Sequence, residues 1–504
     1  MSGSRRQFLS AALVGLTRKT DRPIAGGFID DGHGPGHQLR DRAKFATAKR
    51  SVKIPIVIVG GGIAGLSSAW RLDKRGFRDF VLLEIAEDAG GNARWGENEI
   101  SAYPWAAHYV PVPGKRATLV RELFEELSVL RNGVWEERYL CFSPQERLYL
   151  HGRWQEGIEP VTAATARDRE DFARFAARMN EFRATGQFTI PIELRAMDLN
   201  AKASPLDRIP IAEWLKQERF TSPYLHWYVN YACRDDYGAL AGDTSAWAGV
   251  HYFASREPDE KGPLTWAEGN GWITRRLLEK LSRYVRTGAM VHRIAHDGRK
   301  LHVSSGDTDY IADFVIFAAP TFLAPYLCKG LPPVRGLSYS PWLTANLTLD
   351  RLPAESGVET AWDNVIYDSP ALGYVVATHQ SLRTHIDRSV WTYYWALAQG
   401  SPQDNRRLLL EKDWNYWKEA IFADLERAHP DIRQCVSRID ILRLGHAMAR
   451  PVPGFLESGD RHRLIAASGN LLFANSDLSG FSIFEEAQYR GVQAAERALR
   501  SLSR

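Results

Sequence analysis

Cysteine is scarce: Cys141, Cys233, Cys328 and Cys435 are the four in 504 residues, far apart and without a C-x-x-C spacing. That argues against a disulfide framework and against a cysteine-built zinc site, and no metal is expected. Charge of one sign is missing too. Lys and Arg number 64 against 60 Asp and Glu, a formal net charge of +4, which gives no reason to expect nucleic acid as a partner. No apolar run approaches the ~18–20 residues that a membrane span needs. What is present in quantity is core material: 44% hydrophobic residues, with 16 Trp, 19 Tyr and 21 Phe. Such a chain reads as a soluble globular protein of two to four domains at roughly 100–200 residues each.

The first residues read as an address. Ser4-Arg5-Arg6-Gln7-Phe8-Leu9 precedes a short apolar stretch from Ser10 to Leu16, a pattern that resembles a twin-arginine (Tat) export signal. No clear Ala-x-Ala cleavage site stands close behind Leu16. Export by the Tat machinery implies a periplasmic protein that folds first around a tightly held cofactor. Residues 17–50, with Gly26, Gly27, Gly32, Gly34, Pro35 and Gly36, read as an irregular segment.

Regular structure begins at Ile54-Pro55-Ile56-Val57-Ile58-Val59, an apolar, β-branched run suited to a buried parallel strand. It leads into Gly60-Gly61-Gly62-Ile63-Ala64-Gly65 and then into Leu66 to Leu72, which reads as a helix. A second run, Phe80 to Leu83, ends at Glu84, 24 residues after Gly60. This is the order of a dinucleotide-binding βαβ unit. Gly60 permits the tight turn, Gly62 lets backbone approach a diphosphate, and Gly65 lets helix and strand pack closely. The amides of Ile63 and Ala64 open the helix toward the phosphates, and Glu84 is placed for a ribose hydroxyl.

After Glu84 come Gly90-Gly91-Asn92-Ala93-Arg94. A Glu followed by a glycine pair and a basic residue resembles the flavin-containing amine oxidase family, with Asn92 where its arginine usually stands and Arg94 two places on. Thr265 to Trp272, Val285 to Ile294 with Phe314 to Pro320, and Asn470 to Asp477 are similar to that family's later FAD segments. The resemblance implies an α/β fold: a Rossmann-type, glutathione reductase-like FAD-binding domain interleaved with an α+β substrate-binding domain. Residues 52–120, 265–335 and 440–504 would form the first, and 121–264 and 336–439 the second. It also implies FAD contacts from Ala107 and His108 near the flavin ring, from Val291 at the adenine and from Asp477 at the ribityl chain.

Within that frame the reaction is transfer of hydride from an amine to flavin N5, in a site that keeps the amine neutral and dry. Tyr109 falls where family members line the substrate cavity, and His446 falls near the flavin. Thr344 takes the place of the lysine that many members keep near N5. Phe484, or Phe481, is the candidate for an aromatic wall. Asp235 and Asp236, in a stretch dense in Trp and Tyr, would receive the distal ammonium of a diamine or polyamine. Trp342 to Leu347 and Gly445 to Gly454 are similar to Tat-exported dehydrogenases of the spermidine dehydrogenase type, which implies a cytochrome or quinone as electron acceptor. Two further readings stay open: an FAD-dependent desaturase or oxidase of a nonbasic lipophilic substrate, and a non-catalytic flavoprotein serving as an assembly subunit.

Overall fold

The computed structural model describes residues 23–29, 33–41, 43–160, 162–192, 205–256, 262–467 and 469–503. The twin-arginine segment lies outside the described residues.

Five short strands form a wholly parallel sheet in the order Val285–Arg286, Phe80–Leu83, Ile56–Val59, Phe314–Phe317 and Leu471–Phe473. Every residue of Ile56–Val59 and Phe80–Leu83 is buried, as continuous apolar runs in a doubly covered sheet should be. The helix Ile63–Lys74 follows the glycine turn, and the long helix Phe484–Leu502 packs against it. Their closeness rests on Gly491, where a Cβ would stand 2.1 Å from the Ala64 carbonyl oxygen. Ser68 Oγ donates at that crossing to the carbonyls of Ala64 and Gly491, both at 2.9 Å. A second, four-stranded sheet takes Val291–Asp297, Lys300–Ser305, Thr308–Ala312 and Arg50–Lys53.

The largest sheet has eight strands in the order Ala25–Phe28, Val436–Arg450, Ser338–Leu349, Ser389–Ala396, Gly373–Val376, Asp363–Ile366, Glu146–Leu150 and Arg153–Glu156. Its two faces differ. Leu343, Ala345 and Leu347 pack with Trp417, Ile421 and Phe422 of the helix Trp414–Leu425. The alternate residues Trp342, Thr344 and Asn346 lie on the opposite face, where Asn346 Nδ2 donates to the Pro104 carbonyl at 3.0 Å. The helices Ala166–Ala184, Ile211–Gln217, Pro223–Tyr237 and Ala246–Ala254 make a separate apolar layer around Trp214, Leu225 and Trp247.

Two expectations of chain organisation differ from what is found. The boundary expected at 440 falls inside the strand Val436–Arg450, which pairs along most of its length with Ser338–Leu349. The segment read as irregular contains an edge strand, Ala25–Phe28, and a helix, His33–Arg40. Gly26, taken as a loop signal, has φ +128°, and a Cβ there would stand 1.8 Å from the Ile439 carbonyl oxygen. Glycine here serves close strand approach. Among the described residues, no helix is long and apolar enough to cross a membrane.

Candidate functional site

A groove starts where Ile56–Val59 ends. Gly60 has φ +104°, and a Cβ on it would stand 2.7 Å from the Ala319 nitrogen. At Gly65 a Cβ would stand 1.9 Å from the Gly60 carbonyl oxygen, so the helix that Ile63 and Ala64 open can start hard against the turn. Gly62 differs: its Cβ position meets only the Gly91 Cα, at 4.0 Å, leaving an open cradle above the helix N-terminus. The Gly90 amide donates to the Gly61 carbonyl at 2.8 Å, bringing the glycine pair against the turn. Glu84 is buried, with one carboxylate oxygen accepting from the Gly61 amide (2.5 Å) and the other from the Ala86 amide (2.8 Å). Burial raises its pKa and these donors oppose the rise. Each oxygen keeps a lone pair for a further hydroxyl donor.

The groove continues between the parallel sheet and the end of the strand Val436–Arg450. Asn92 Nδ2 donates to the Ala447 carbonyl at 2.7 Å, and the Asn92 carbonyl accepts from the Ala107 amide at 2.8 Å. Arg94 Nε donates to the Gly91 carbonyl at 3.2 Å. Gly91, Asn92 and His446 all keep open surface along this line. His446 stacks on Phe322 at 4.2 Å; the protein packed around the ring, though one side of the residue stays open, and then the Arg406 charge lower its pKa. At the far end Asp477, raised in pKa by burial, accepts from the Thr321 amide (2.9 Å) and the Tyr339 hydroxyl (2.8 Å). Val291 packs with Val81 and Leu83, beside the second strand.

Beyond Ala107 the chain enters an enclosed aromatic space. His108 lies among Tyr109, Tyr394 and Trp362 at ring distances of 5.2, 4.8 and 5.7 Å. Burial lowers its pKa to about 4, so the ring is neutral. The Tyr109 hydroxyl donates to Asp235 at 3.4 Å. Asp235 and Asp236, in the last turn of Pro223–Tyr237, retain accessible surface although they lie deep in the protein, so they line an internal space. Burial, then repulsion by Asp236 and Glu146, raises Asp235 to about 7; burial raises Asp236 to about 6, with Arg256 opposing.

Two carboxylates that the sequence did not mark complete the group. Glu146 and Asp363 are direct partners across adjacent parallel strands, so their side chains lie side by side. Both are raised in pKa by burial, and Asp363 is raised further by Glu146 and Asp235. Asp363 accepts from the Tyr394 hydroxyl at 2.9 Å. Burial raises the pKa of Tyr228 and Tyr252, and Glu146 adds to the rise in both. Arg234 makes no ion pair with its neighbour Asp235, because its guanidinium donates to the carbonyls of Ser369, Pro370 and Ala371; its charge opposes the rise in the Asp235 pKa only in part. Among the described residues no group of three or more His, Cys, Asp or Glu is arranged to hold a metal ion.

The expected residues thus fall into two linked sets. Gly60, Gly62, Gly65, Glu84, Gly91, Asn92, Arg94, Ala107, His446 and Asp477 follow the groove; His108, Tyr109 and Asp235 meet at the internal space. Thr344 belongs with the second set, for its cross-strand partner is Tyr394. Phe484 does not: it is 7% exposed and stacks on Phe124 at 5.8 Å in the core beneath the parallel sheet. Phe481 also turns away, stacking on His251 at 4.6 Å in the helical layer. A Phe in a run of apolar residues carries no sign of the face it serves. The missed pair, Glu146 and Asp363, becomes adjacent only through strand pairing, and no local pattern marks it.

A family model described as an NAD(P)-binding Rossmann-like domain matches residues 58–127. Among curated proteins the chain is 26% identical over 253 residues to a Baeyer-Villiger monooxygenase of Penicillium patulum. It is 34% identical over 100 residues to the mitochondrial pyruvate dehydrogenase phosphatase regulatory subunit of Mus musculus. These stretches take in 49% and 18% of this chain, and only 33% and 11% of the relatives' own lengths. Likeness among solved structures runs much further. Putrescine oxidase bound to putrescine and cyclohexylamine oxidase from Brevibacterium oxydans each superpose with a TM-score of 0.66, at 17% and 15% identity. Each superposition covers 90% of this chain and all of the other. A fatty acid isomerase from P. acnes matches at a TM-score of 0.63 and 15% identity, over 88% of this chain and 98% of its own.

Proposed function

Proceeding from the fold it shares with putrescine and cyclohexylamine oxidases, we propose that this protein binds FAD and oxidises a diamine or polyamine. The observation that carries this reading is the buried juxtaposition of Glu146, Asp363 and Asp235 inside a wall of tyrosines. Like charges held together in a dry site are costly unless a cation joins them. A substrate with two amino groups supplies one. Its distal ammonium rests among the carboxylates while the reacting nitrogen lies in the aromatic part of the space, where desolvation favours the neutral amine.

The groove fits an extended dinucleotide in the same reading. Gly62 and Gly91 would leave room for a diphosphate, Glu84 would accept from a ribose hydroxyl, and Asp477 would be the carboxylate toward the ribityl chain. When bound, the flavin supplies the hydride acceptor and a route for electrons to a further carrier. The chain's own residues do the rest. Tyr109, Tyr228, Tyr252 and Trp362 exclude water, and Tyr109 fixes Asp235 through its hydroxyl. Neutral His108 adds no positive charge to repel the amine. Arg256, ion-paired with Glu485 at 2.9 Å, counters Asp236 electrostatically and leaves Asp235 as the stronger ammonium anchor. Read with the twin-arginine segment, the enzyme works in the periplasm and passes electrons to a cytochrome or quinone.

Anaerobic bleaching of the purified flavoprotein tests this. Putrescine or spermidine should reduce the flavin faster than a monoamine of equal length, and Asp235→Asn should erase that preference. Bleaching by an apolar compound and by no amine would establish the lipophilic-substrate reading instead. A protein that no substrate bleaches, in a stable complex with a partner, would establish the assembly-subunit reading.

A further inference from the structure

The parallel pairing that sets Glu146 beside Asp363 is short, residues 146–149 on residues 363–366. Paired strands run about 4.7–4.9 Å apart, so two carboxylates at one register position repel and work against that pairing. Asp363 is held by the Tyr394 hydroxyl. Glu146 has no hydrogen-bond or ion-pair partner for its side chain among the described residues. Its place is set by its backbone, and what fixes that backbone lies one residue on.

The next partners along the ladder are Arg147 and Asn364, whose side chains take the opposite face of the sheet. Arg147 is fully buried there, and each of the five N–H donors of its guanidinium finds an acceptor. Nε donates to Asn364 Oδ1 at 2.5 Å, across the strand pair itself. Nη1 donates to Glu355 Oε2 (2.8 Å) and the Val358 carbonyl (3.0 Å). Nη2 donates to Glu355 Oε1 (2.6 Å) and the Tyr374 hydroxyl (3.1 Å). Asn364 is fixed in turn, its Nδ2 donating to the carbonyls of Ala361 at 2.9 Å and Tyr374 at 3.2 Å. The guanidinium also lies over the Trp154 ring at 3.9 Å. One side chain thereby ties the strand Glu146–Leu150 to two neighbouring strands and to the loop that carries Glu355.

We propose that Arg147 is a positioning residue for the ammonium site: from the back of the sheet it clamps the strands Glu146–Leu150 and Asp363–Ile366 in the register that holds Glu146 and Asp363 side by side at the front. Without the clamp, repulsion is relieved by parting the short ladder, and the two carboxylates no longer meet one ammonium. Lysine is no substitute, because a single ammonium cannot span Asn364, Glu355 and Tyr374 as the planar fork does. The effect on substrate rests on the diamine reading; the clamp itself does not.

The test uses the full-length flavin-loaded protein as wild type, Arg147→Lys, Glu146→Gln and the double variant. Lysine keeps the positive charge, and the side chains of residues 146 and 147 share no partner, so an arginine with a merely structural role would cost the same melting temperature in either background. A clamp against repulsion matters less once residue 146 is neutral: Arg147→Lys should lower the melting temperature roughly twice as far with Glu146 present as in the Glu146→Gln protein. In steady-state kinetics Arg147→Lys should raise the KM for putrescine roughly tenfold, the worth of a hydrogen bond to a charged group, and leave kcat and the KM for a monoamine of equal length unchanged. Should Arg147→Lys not fold, Glu355→Gln, which keeps the arginine and loosens its grip, takes its place in both measurements. Equal melting losses in the two backgrounds overturn the proposal, as does an unchanged putrescine KM in a protein that prefers diamines. A wild type without that preference defeats the diamine reading instead, and the melting comparison alone then decides for or against the clamp.

Discussion

Glu146 and Asp363 share a strand-pair position where opposite charges or apolar residues would serve stability better. Their cost in the ligand-free protein gives a prediction of inverted sign. Glu146→Gln should stabilise that protein by about 1 kcal/mol, from relieved like-charge repulsion, while raising the KM for a diamine. Thermal melts and steady-state kinetics on the same preparation check both halves. Asp235 makes the case again through pH. Its folded pKa of about 7 lies above the 3.8 of an ordinary aspartate, so the folded state holds the proton more tightly than the unfolded one. The associated stability is fully present below about pH 4 and is lost as pH rises through about 7. Melting temperatures of the ligand-free protein should fall across that window, and Asp235→Asn should flatten the fall. Diamine affinity should move the opposite way, growing as the carboxylates ionise.

Among the elements, the crossing of Ile63–Lys74 with Phe484–Leu502 admits no side chain at Gly491. Gly491→Ala should cost about 1–3 kcal/mol by overpacking, read as a lower denaturant midpoint with an unchanged slope. Gly62 contrasts with it, having open space above it: a larger residue there should spare the fold and exclude the dinucleotide. These glycines were legible in the sequence because strand, turn and helix are contiguous, and each local choice agrees with the next. The internal space was not. Tyr109, Glu146, Asp235, Asp363 and Tyr394 come from five separate segments: the register of the large sheet gathers Glu146, Asp363 and Tyr394, while the short strand Tyr109–Val110 and the helix Pro223–Tyr237 bring in the other two. Phe484 was misread for a related reason: helix packing, not chain position, decides which face an apolar residue serves.

For the whole molecule, the sheet that roofs the internal space also spans from the N-terminal segment to the late strand Val436–Arg450. The side chain of Asn92 fastens the glycine pair to that late strand through the Ala447 carbonyl. The strand Ala25–Phe28 lies in parallel register on residues 438–441 and satisfies their outer backbone groups. Proteolytic maturation upstream of Ala25 would leave that guard in place. A cut after Phe28 would strip it away and present an unpaired ribbon edge to other copies, so a protein started at residue 30 should sediment as concentration-dependent oligomers where the longer one does not.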